Sequence, residues 1–355
     1  MASEKSKLLR IVNSLAPMRI CDNGGWTDTW FARHGQIFSI AVQPHAQVQM
    51  RVLQGDRGPS RVTIHAENYG QRYVRDMPEG TYLKHPLLEA AIDYMRIPRD
   101  LLVEFSVYSE CPSGCSTGTS AAVSVAMIGA LACLRDERMT PRDVAMAAHR
   151  IETELLKQQC GIQDQIASAY GGINYIEMQE YPNAQVTQLH LDERLWWELE
   201  GRLSLIFVGL SHSSSDVHKK VIARLERDGS GAPELNRLRQ AAERARDALA
   251  ASDLRALGQA MIDNTEAQRM LHPDLVGPGH ARIIEMARAC GALGWKVNGA
   301  GGDGGSVTLL SGADRTRRRA MIRQIEADNP LFQHIPIRLA AHGLQVWESS
   351  IEGES

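Results

Sequence analysis

Pro112-Ser-Gly-Cys-Ser-Thr-Gly-Thr-Ser-Ala-Ala122 is the stretch on which the reading of this chain turns. Before it, Val103, Phe105 and Val107 alternate with Glu104 and Ser106 and predict a strand over 102–108. After it, the small-residue run Ala121 through Leu134 predicts a helix that opens at about Thr119. Gly114 and Gly118 allow backbone turns closed to other residues and a close approach to a ligand. N–H groups at the helix start, with the positive end of its dipole, form an anion site. Thr119 and Ser120 place hydroxyls there that suit phosphate or Mg²⁺. A plain strand-to-helix turn capped by Ser and Thr fits the same residues equally well. A Walker A loop does not, because no Gly-Lys-Ser/Thr follows.

Upstream, residues 46–53 (Ala-Gln-Val-Gln-Met-Arg-Val-Leu) alternate and Arg61-Val-Thr-Ile-His adds a short apolar segment, so the first two-fifths read as strand-rich. Downstream, Thr140-Pro-Arg-Asp opens a helix with proline in its first turn. Residues 205–210 read as one buried strand. Leu235, Leu238, Ala242, Ala245 and Leu249 recur at three and four, a helix whose Arg and Glu side chains form a solvated face. Gly229-Ser-Gly-Ala-Pro is a loop between helices. A glycine cluster at 299–305 leads into Val307-Thr-Leu-Leu, another apolar strand. The expected fold class is α+β in two lobes, residues 1–195 and 196–355.

Composition bounds the function. The chain has 355 residues, 43% apolar, with 39 Lys+Arg against 42 Asp+Glu for a net charge of −3. That supplies ample core and no electrostatic footprint for nucleic acid. No apolar run approaches the ~18–20 residues of a bilayer span, and the charged Met-Ala-Ser-Glu-Lys-Ser-Lys start is unlike a signal peptide. The expected location is the cytoplasm. Six cysteines whose one close pair, Cys111 and Cys115, has no second Cys/His pair nearby, and no H-E-x-x-H, speak against a transition-metal site.

Three further segments carry polar groups that chemistry can use. Gly299-Ala-Gly-Gly-Asp-Gly-Gly satisfies G-x-G-x-x-G but precedes a strand near the C-terminus, which rules out a dinucleotide fold and with it a dehydrogenase. Arg19-Ile-Cys-Asp-Asn-Gly-Gly-Trp-Thr-Asp28 combines a cation, two glycines, an aromatic ring and carboxylates. Glu152 on a predicted helix is followed by Gly161-Ile-Gln-Asp-Gln, where Asp164 reads either as a surface carboxylate or as a base beside a phosphate loop.

Taken in order, these segments resemble the GHMP kinases (galactokinase, homoserine kinase, mevalonate kinase and phosphomevalonate kinase). Ala16-Pro-Met-Arg-Ile-Cys-Asp-Asn-Gly-Gly-Trp-Thr-Asp is similar to the family's first motif, Ser116-Thr-Gly-Thr-Ser-Ala-Ala to its Gly-Leu-Gly-Ser-Ser-Ala-Ala, and Lys296-Val-Asn-Gly-Ala-Gly-Gly-Asp-Gly-Gly to its third. The likeness runs from residue 16 to about 310. It implies the two-lobed GHMP kinase fold with the active site in the inter-lobe cleft. Gly161-Ile-Gln-Asp-Gln and Tyr170-Gly-Gly-Ile-Asn resemble the D-glycero-D-manno-heptose 7-phosphate kinases, whereas Gly24-Gly-Trp-Thr-Asp-Thr resembles the L-fucokinases. Both act on an anomeric hydroxyl.

By this resemblance, ATP and Mg²⁺ are the cofactors, and the expected reaction is 1-phosphorylation of a heptose 7-phosphate or related sugar for nucleotide-sugar and surface-polysaccharide synthesis. Pro112, Gly114, Cys115, Ser116, Thr117, Gly118, Thr119 and Ser120 would wrap the ATP phosphates. Ser120 and Glu152 would hold Mg²⁺, an oxygen-only set that suits a hard ion. Asp164 would take the sugar proton and Arg19 would stabilise developing charge. Gly25, Trp26, Thr27, Asp28, Gln163, Gly299, Ala300 and Gly301 would face the substrate. Expected partners are the sugar substrate and ATP, with a second copy of the chain the candidate protein partner, and neither nucleic acid nor membrane. A fucokinase-like enzyme and a catalytically silent sugar or nucleotide sensor are the alternatives. Three departures bear on the site. Ser116-Thr stands for Gly-Leu, Asp303 puts a carboxylate in the third loop, and a second substrate phosphate would need basic groups. Lys219, Lys220, His212 and Arg269 are candidates for that last role, with Ser211-His-Ser-Ser-Ser beside them.

Overall fold

The computed structural model describes residues 7–55, 61–76, 78–135, 138–209 and 215–351. Its first lobe opens with β1 (Leu8–Asn23), β2 (Gly35–Gln54), β3 (Val62–Ala66), β4 (Gln71–Val74), α1 (Pro86–Met95) and β5 (Leu101–Ser109). There follow α2 (Thr119–Ala132), α3 (Pro141–Arg150), a π-helical turn (Ile151–Leu155), α4 (Gln163–Tyr170), β6 (Ile173–Glu180) and β7 (Asn183–Gln188). The long strand β2 organises this lobe. Its second half pairs with β5, its first half with β6, and β1 runs antiparallel along nearly all of it. Val48, Met50 and Val52 point inward and Arg51 outward, the period-two burial expected of a half-covered sheet.

α2 lies across this sheet and is buried on almost every side, because its Ala, Gly and Ser positions let α3, α4 and the sheet approach closely. Thr140 caps α3 with a reciprocal Thr140–Asp143 capping box.

The second lobe comprises α5 (Glu193–Arg202), β8 (Leu203–Phe207), α6 (Ser215–Asp228), α7 (Pro233–Ala250), α8 (Leu254–Leu271) and α9 (Pro278–Ala289). β9 (Gly294–Val297), β10 (Ser306–Leu310), α10 (Arg315–Asp328) and β11 (Gln333–Ile335) complete it. Its antiparallel sheet runs β11-β8-β10-β9 and packs on α9 and α10 through Ile206, Ile283, Trp295, Leu309 and Ile325. The strand expected over 205–210 occupies 203–207, and Gly209 at φ +82 turns the chain away against Leu331.

The division at 195/196 needs correction. β12 (Arg338–Leu339) pairs with β2, and β13 (Gln345–Ser349) pairs with β1, so the end of the chain returns to the first sheet. The cause is an unfilled edge. β1 exposes Ile11 to Leu15 to a partner, and β13 supplies it while Leu344 lies over Gly129 of α2. The solvated face expected for α7 also has an exception in buried Arg239, whose guanidinium donates to the Ala32, His34 and Ser230 carbonyls and ties α7 to the loop after β1.

One buried ion pair joins the lobes. Lys296 of β9 donates through Nζ to Asp22 Oδ1 of β1 at 3.0 Å, to Gln268 Oε1 of α8 at 3.1 Å and to the Val297 carbonyl. Both ions are buried, Lys296 completely. Burial pulls the Lys296 ammonium below the usual lysine range, and Asp22 opposes that. Asp22 Oδ2 in turn accepts the Gly299 N–H at 3.0 Å.

Removing one partner strands the other charge in the interior. Lys296→Met is therefore expected to destabilise the chain by about 3–5 kcal/mol, with the double variant Asp22→Asn/Lys296→Met recovering part of the loss. Urea unfolding measures both, and a single-variant loss no larger than that of an exposed lysine would refute the role.

Candidate active site

A cleft of about 560 Å³ opens between the lobes. Its walls come from β1 (Arg19), the β5–α2 loop, α4 (Asp164) and the β9–β10 loop (Gly299, Ala300). Gly114 and Gly118 adopt φ +79 and +74, left-handed conformations that glycine takes without strain. Ser116 sits at φ +57 in the same region, so replacing a motif glycine by serine puts local strain into the loop. The Arg19 N–H donates to the Thr117 carbonyl at 3.0 Å, its guanidinium donates to the Ser116 carbonyl, and Ser306 Oγ donates to the Cys115 carbonyl at 2.6 Å. With those carbonyls tied back, α2 begins at Gly118 with no side-chain cap on its first N–H groups. Both features suit an anion.

Arg19 and Asp164 meet in a two-pronged pair, Nε to Oδ1 at 2.8 Å and Nη2 to Oδ2 at 3.2 Å. Burial works against the Arg19 charge, but Asp164, Asp22 and Asp28 outweigh it and raise the guanidinium above its ordinary value. A Cβ at Gly118 would lie 3.3 Å from Asp164 Cγ and 3.4 Å from Arg19 Cγ, so the glycine keeps the loop tight on the pair. Across the cleft, Gly299 at φ +61 faces Ser116, and a Cβ there would lie 3.2 Å from the Ser116 Cβ.

Not every expected residue lies in this cleft. Asp28 is buried, and its Oδ2 accepts the Gln163 N–H at 3.0 Å, capping the start of α4. A Cβ at Gly161 would fall 1.9 Å from that oxygen, which explains a glycine there. Burial pushes the Asp28 carboxyl up to about 6, against the Gln163 N–H and aided by Asp164 and Asp22. Gly25, Trp26 and Thr27 form the buried turn between these carboxylates. A Cβ at Gly25 would touch Asp22 Oδ2 and Gln163 Nε2, Thr27 Oγ1 donates to the Gly24 carbonyl, and the Trp26 ring lies tilted at 42°, 4.8 Å from His218 of α6. Gly301 at φ +66 packs on the Leu275 carbonyl and serves the loop's shape. Asp303 is exposed, outside the cleft lining and near Gly277, so its carboxylate faces away from an anion.

Ser120 lines the cleft, whereas Glu152 does not. Glu152 sits in the π-helical turn, buried, and accepts from Gln165 Nε2 at 2.9 Å. Burial first, and Asp164 next to it, push its carboxyl up to about 7 against the Gln165 hydrogen bond. The Gln163 and Gln165 amide oxygens beside it are buried without a partner. Among the described residues no group of three or more His, Cys, Asp or Glu is arranged for a metal. The donors present are oxygens, fitting a hard cation whose remaining ligands are phosphate and water.

Of the basic candidates, Lys219 and Lys220 are exposed on α6, and Arg269 pairs with Glu266 at 3.3 Å; none lines the cleft. His212 and the stretch Ser211–Ser214 lie outside the described residues. Sequence reading passed over Asp22 and Lys296 as functional residues, and the apolar arm of the cleft with Tyr69, His85 and Leu87. The sequence signals for Lys296 are a charge inside an otherwise apolar strand and its place at the head of the third glycine-rich stretch.

Residues 86–172 match the family model for the GHMP kinases N terminal domain. The matched stretch runs from α1 through the glycine-rich loop and α2 to α4, and the two-lobed fold around it is that of solved heptose-phosphate and mevalonate kinases. The chain is 26% identical to a D-glycero-alpha-D-manno-heptose 7-phosphate kinase of Campylobacter jejuni over 72% of this chain and 75% of the relative. It is 24% identical to the bifunctional fucokinase/GDP-fucose pyrophosphorylase of Arabidopsis thaliana, over 85% of this chain and 30% of that longer protein. A crystal structure of a D-glycero-D-manno-heptose 1-phosphate kinase from Bacteriodes thetaiotaomicron superposes with a TM-score of 0.73 at 20% identity, covering 96% of this chain and 100% of the other. Among the described residues no helix is long and apolar enough to cross a membrane.

The raised Glu152 value carries a stability consequence. A carboxyl at about 7 when folded, against an ordinary 4.5, keeps its proton better in the folded state. Its contribution is therefore lost as pH rises through that window, by up to ~3 kcal/mol. Glu152→Gln keeps an acceptor for Gln165 without the ionisation. In metal-free buffer its Tm should rise relative to the native chain between pH 5 and pH 8. A pH-independent difference would contradict the buried, protonated Glu152.

Proposed function

We propose that the protein transfers the γ-phosphoryl group of ATP to the anomeric hydroxyl of a heptose 7-phosphate or closely related sugar, supplying nucleotide-sugar synthesis for surface polysaccharide. The observation that carries the reading is the Arg19–Asp164 pair set against the phosphate loop at the mouth of an uncapped helix. In this reading the loop N–H groups from Gly114 to Ser120 hold the phosphates, and the apolar arm beyond them takes the base. Ser120 on the cleft wall and Glu152 buried behind it would hold Mg²⁺, which when bound would neutralise phosphate charge.

Asp164 receives the sugar hydroxyl as a hydrogen-bond donor and takes its proton. Phosphoryl transfer through a loose transition state needs orientation of the hydroxyl more than its early deprotonation. Arg19 stays charged beside it and stabilises the oxygens that gain charge in transfer. Gln163, whose amide oxygen has no partner, is the group left to read a sugar hydroxyl, while Asp28 caps the start of α4, the helix that carries Gln163 and Asp164.

The preference for a heptose phosphate over fucose rests on the Gly161-Ile-Gln-Asp-Gln and Tyr170-Gly-Gly-Ile-Asn likeness and on the Campylobacter relative. Both candidate substrates would be phosphorylated at the anomeric hydroxyl, so one experiment addresses both. ADP release with Mg·ATP is measured against D-glycero-D-manno-heptose 7-phosphate, mannose, fucose, galactose and mevalonate. The phosphorylated heptose should give the highest kcat/KM, and preference for fucose would replace the substrate assignment. Asp164→Asn should lower kcat ~10²–10⁴-fold with ATP binding nearly intact, and near-native turnover would remove Asp164 from the chemistry.

A further inference from the structure

Beyond the phosphate loop the cleft continues into an arm floored by Ala66, Leu88 and Val107 and rimmed by Tyr69 and His85. The rim is an aromatic stack. The Tyr69 and His85 rings lie 5.2 Å apart at 48°, and His85 lies nearly parallel to Tyr73 at 5.9 Å and 23°. The Lys84 ammonium closes the stack 4.6 Å above Tyr73.

His85 belongs to the segment between β4 and α1, whose described residues form no helix or strand to hold it. Glu89, in the first turn of α1, takes that role. Its carboxylate is 3% exposed and accepts the Leu83 N–H at 2.7 Å and the Tyr73 hydroxyl at 2.8 Å, with longer contacts from the Lys84 and His85 N–H groups at 3.4 Å. One buried carboxylate therefore fixes the backbone before His85 and the ring behind it. Converging donors on a buried charge of this kind are strong and directional.

Two polar side-chain groups at the rim, His85 Nε2 and the Asn68 amide, are already engaged. His85 Nε2 meets Gln71 Oε1 at 2.9 Å. Asn68 donates to the Ser109 carbonyl at 2.8 Å and accepts the Ser109 N–H at 2.7 Å. What the rim offers a ligand is ring face, which attracts a flat aromatic system whatever its edge substituents.

We infer that Glu89 is a positioning residue for nucleotide binding: it holds His85 and Tyr69 as a stacking wall that grips the base by its face and discriminates poorly among bases. This rests on the reading of the cleft as a nucleoside triphosphate site. It separates Glu89, which touches no ligand, from the loop residues that hold the phosphates.

The test compares the native chain with Glu89→Gln, His85→Ala and His85→Phe. KM and kcat are measured for ATP and GTP, and inhibition constants for tripolyphosphate, which has the phosphates and no base. Glu89→Gln and His85→Ala should raise the ATP KM about ten-fold, the size of one lost stacking contact. The kcat and the tripolyphosphate constant should stay within two-fold, roughly experimental scatter for an untouched step. His85→Phe, which keeps a ring, should recover most of the ATP KM. GTP should serve the native chain with kcat/KM within about ten-fold of ATP.

Unchanged ATP KM in both Glu89→Gln and His85→Ala would overturn the inference. So would a parallel rise in the tripolyphosphate constant, which marks general loosening, or a strong preference for one base. A native chain inhibited by tripolyphosphate yet indifferent to the base variants fails this inference alone. A native chain that binds neither ATP nor tripolyphosphate fails the nucleotide reading and takes the inference with it.

Discussion

The geometry of the cleft hangs on the contact between Asp22 and Lys296. A buried ion pair gains little net stability, because both ions give up water to form it. Here the pair also fixes position. Asp22 belongs to the strand that carries Arg19, and Lys296 to the strand that leads into the Gly299 loop. Asp22 holds both the ammonium and the Gly299 N–H, while Gln268 Nε2 donates to the Gly299 carbonyl at 2.9 Å. The peptide at Gly299 is thus held at both ends, opposite Ser116. Asn298 adds a neutral layer, accepting the Cys21 N–H at 3.2 Å and bonding Ser306 and Thr308. The cleft width follows from these bonds, and apolar packing alone would leave it free to breathe.

Charge around the cleft is distributed with consequence. Four carboxylates, Asp22, Asp28, Glu152 and Asp164, lie near one guanidinium and one ammonium. If all four faced the opening, they would repel a phosphate-rich ligand. Only Asp164 lines it, paired with Arg19. Asp22 is consumed by Lys296, Asp28 by the start of α4, and Glu152 is drawn toward its neutral form by burial. A cation arriving near Glu152 would favour the charged form again, which couples that site's charge to its ligand.

The first lobe is also less self-contained than its chain segment. β13 closes the edge of β1, and Leu344 lies on Gly129 of α2, the helix that follows the phosphate loop. The last strand therefore supports the element on which the anion site is built. Arg239 likewise reaches from α7 to the Ala32 and His34 carbonyls just past Asp28. Each lobe supplies backbone partners that the other lacks.

Much of this was legible in the linear chain. The strand-loop-helix around Pro112–Ala122, the alternation of 46–53 and the heptad-like spacing of 235–249 are set by neighbours two to four residues apart, and such short-range patterns survive in a sequence. The glycines that line the loops were readable for the same reason, since a left-handed φ is a local demand that few residues meet. What the sequence alone determined is a glycine-rich strand-to-helix loop, with an arginine before it and an aspartate after it in the order of the motifs it resembles. Only the tertiary structure decided which polar groups face it. Lys296 and Asp22 stand 274 positions apart, Asn298 and Cys21 277, and nothing local marks such pairs. Asp28 and Glu152 carry the right chemistry for the cleft, yet burial and their neighbours turn one into a helix cap and set the other behind the lining. Side-chain orientation and protonation depend on the dielectric and on charges brought together by folding, and that information does not exist until the chain has closed on itself.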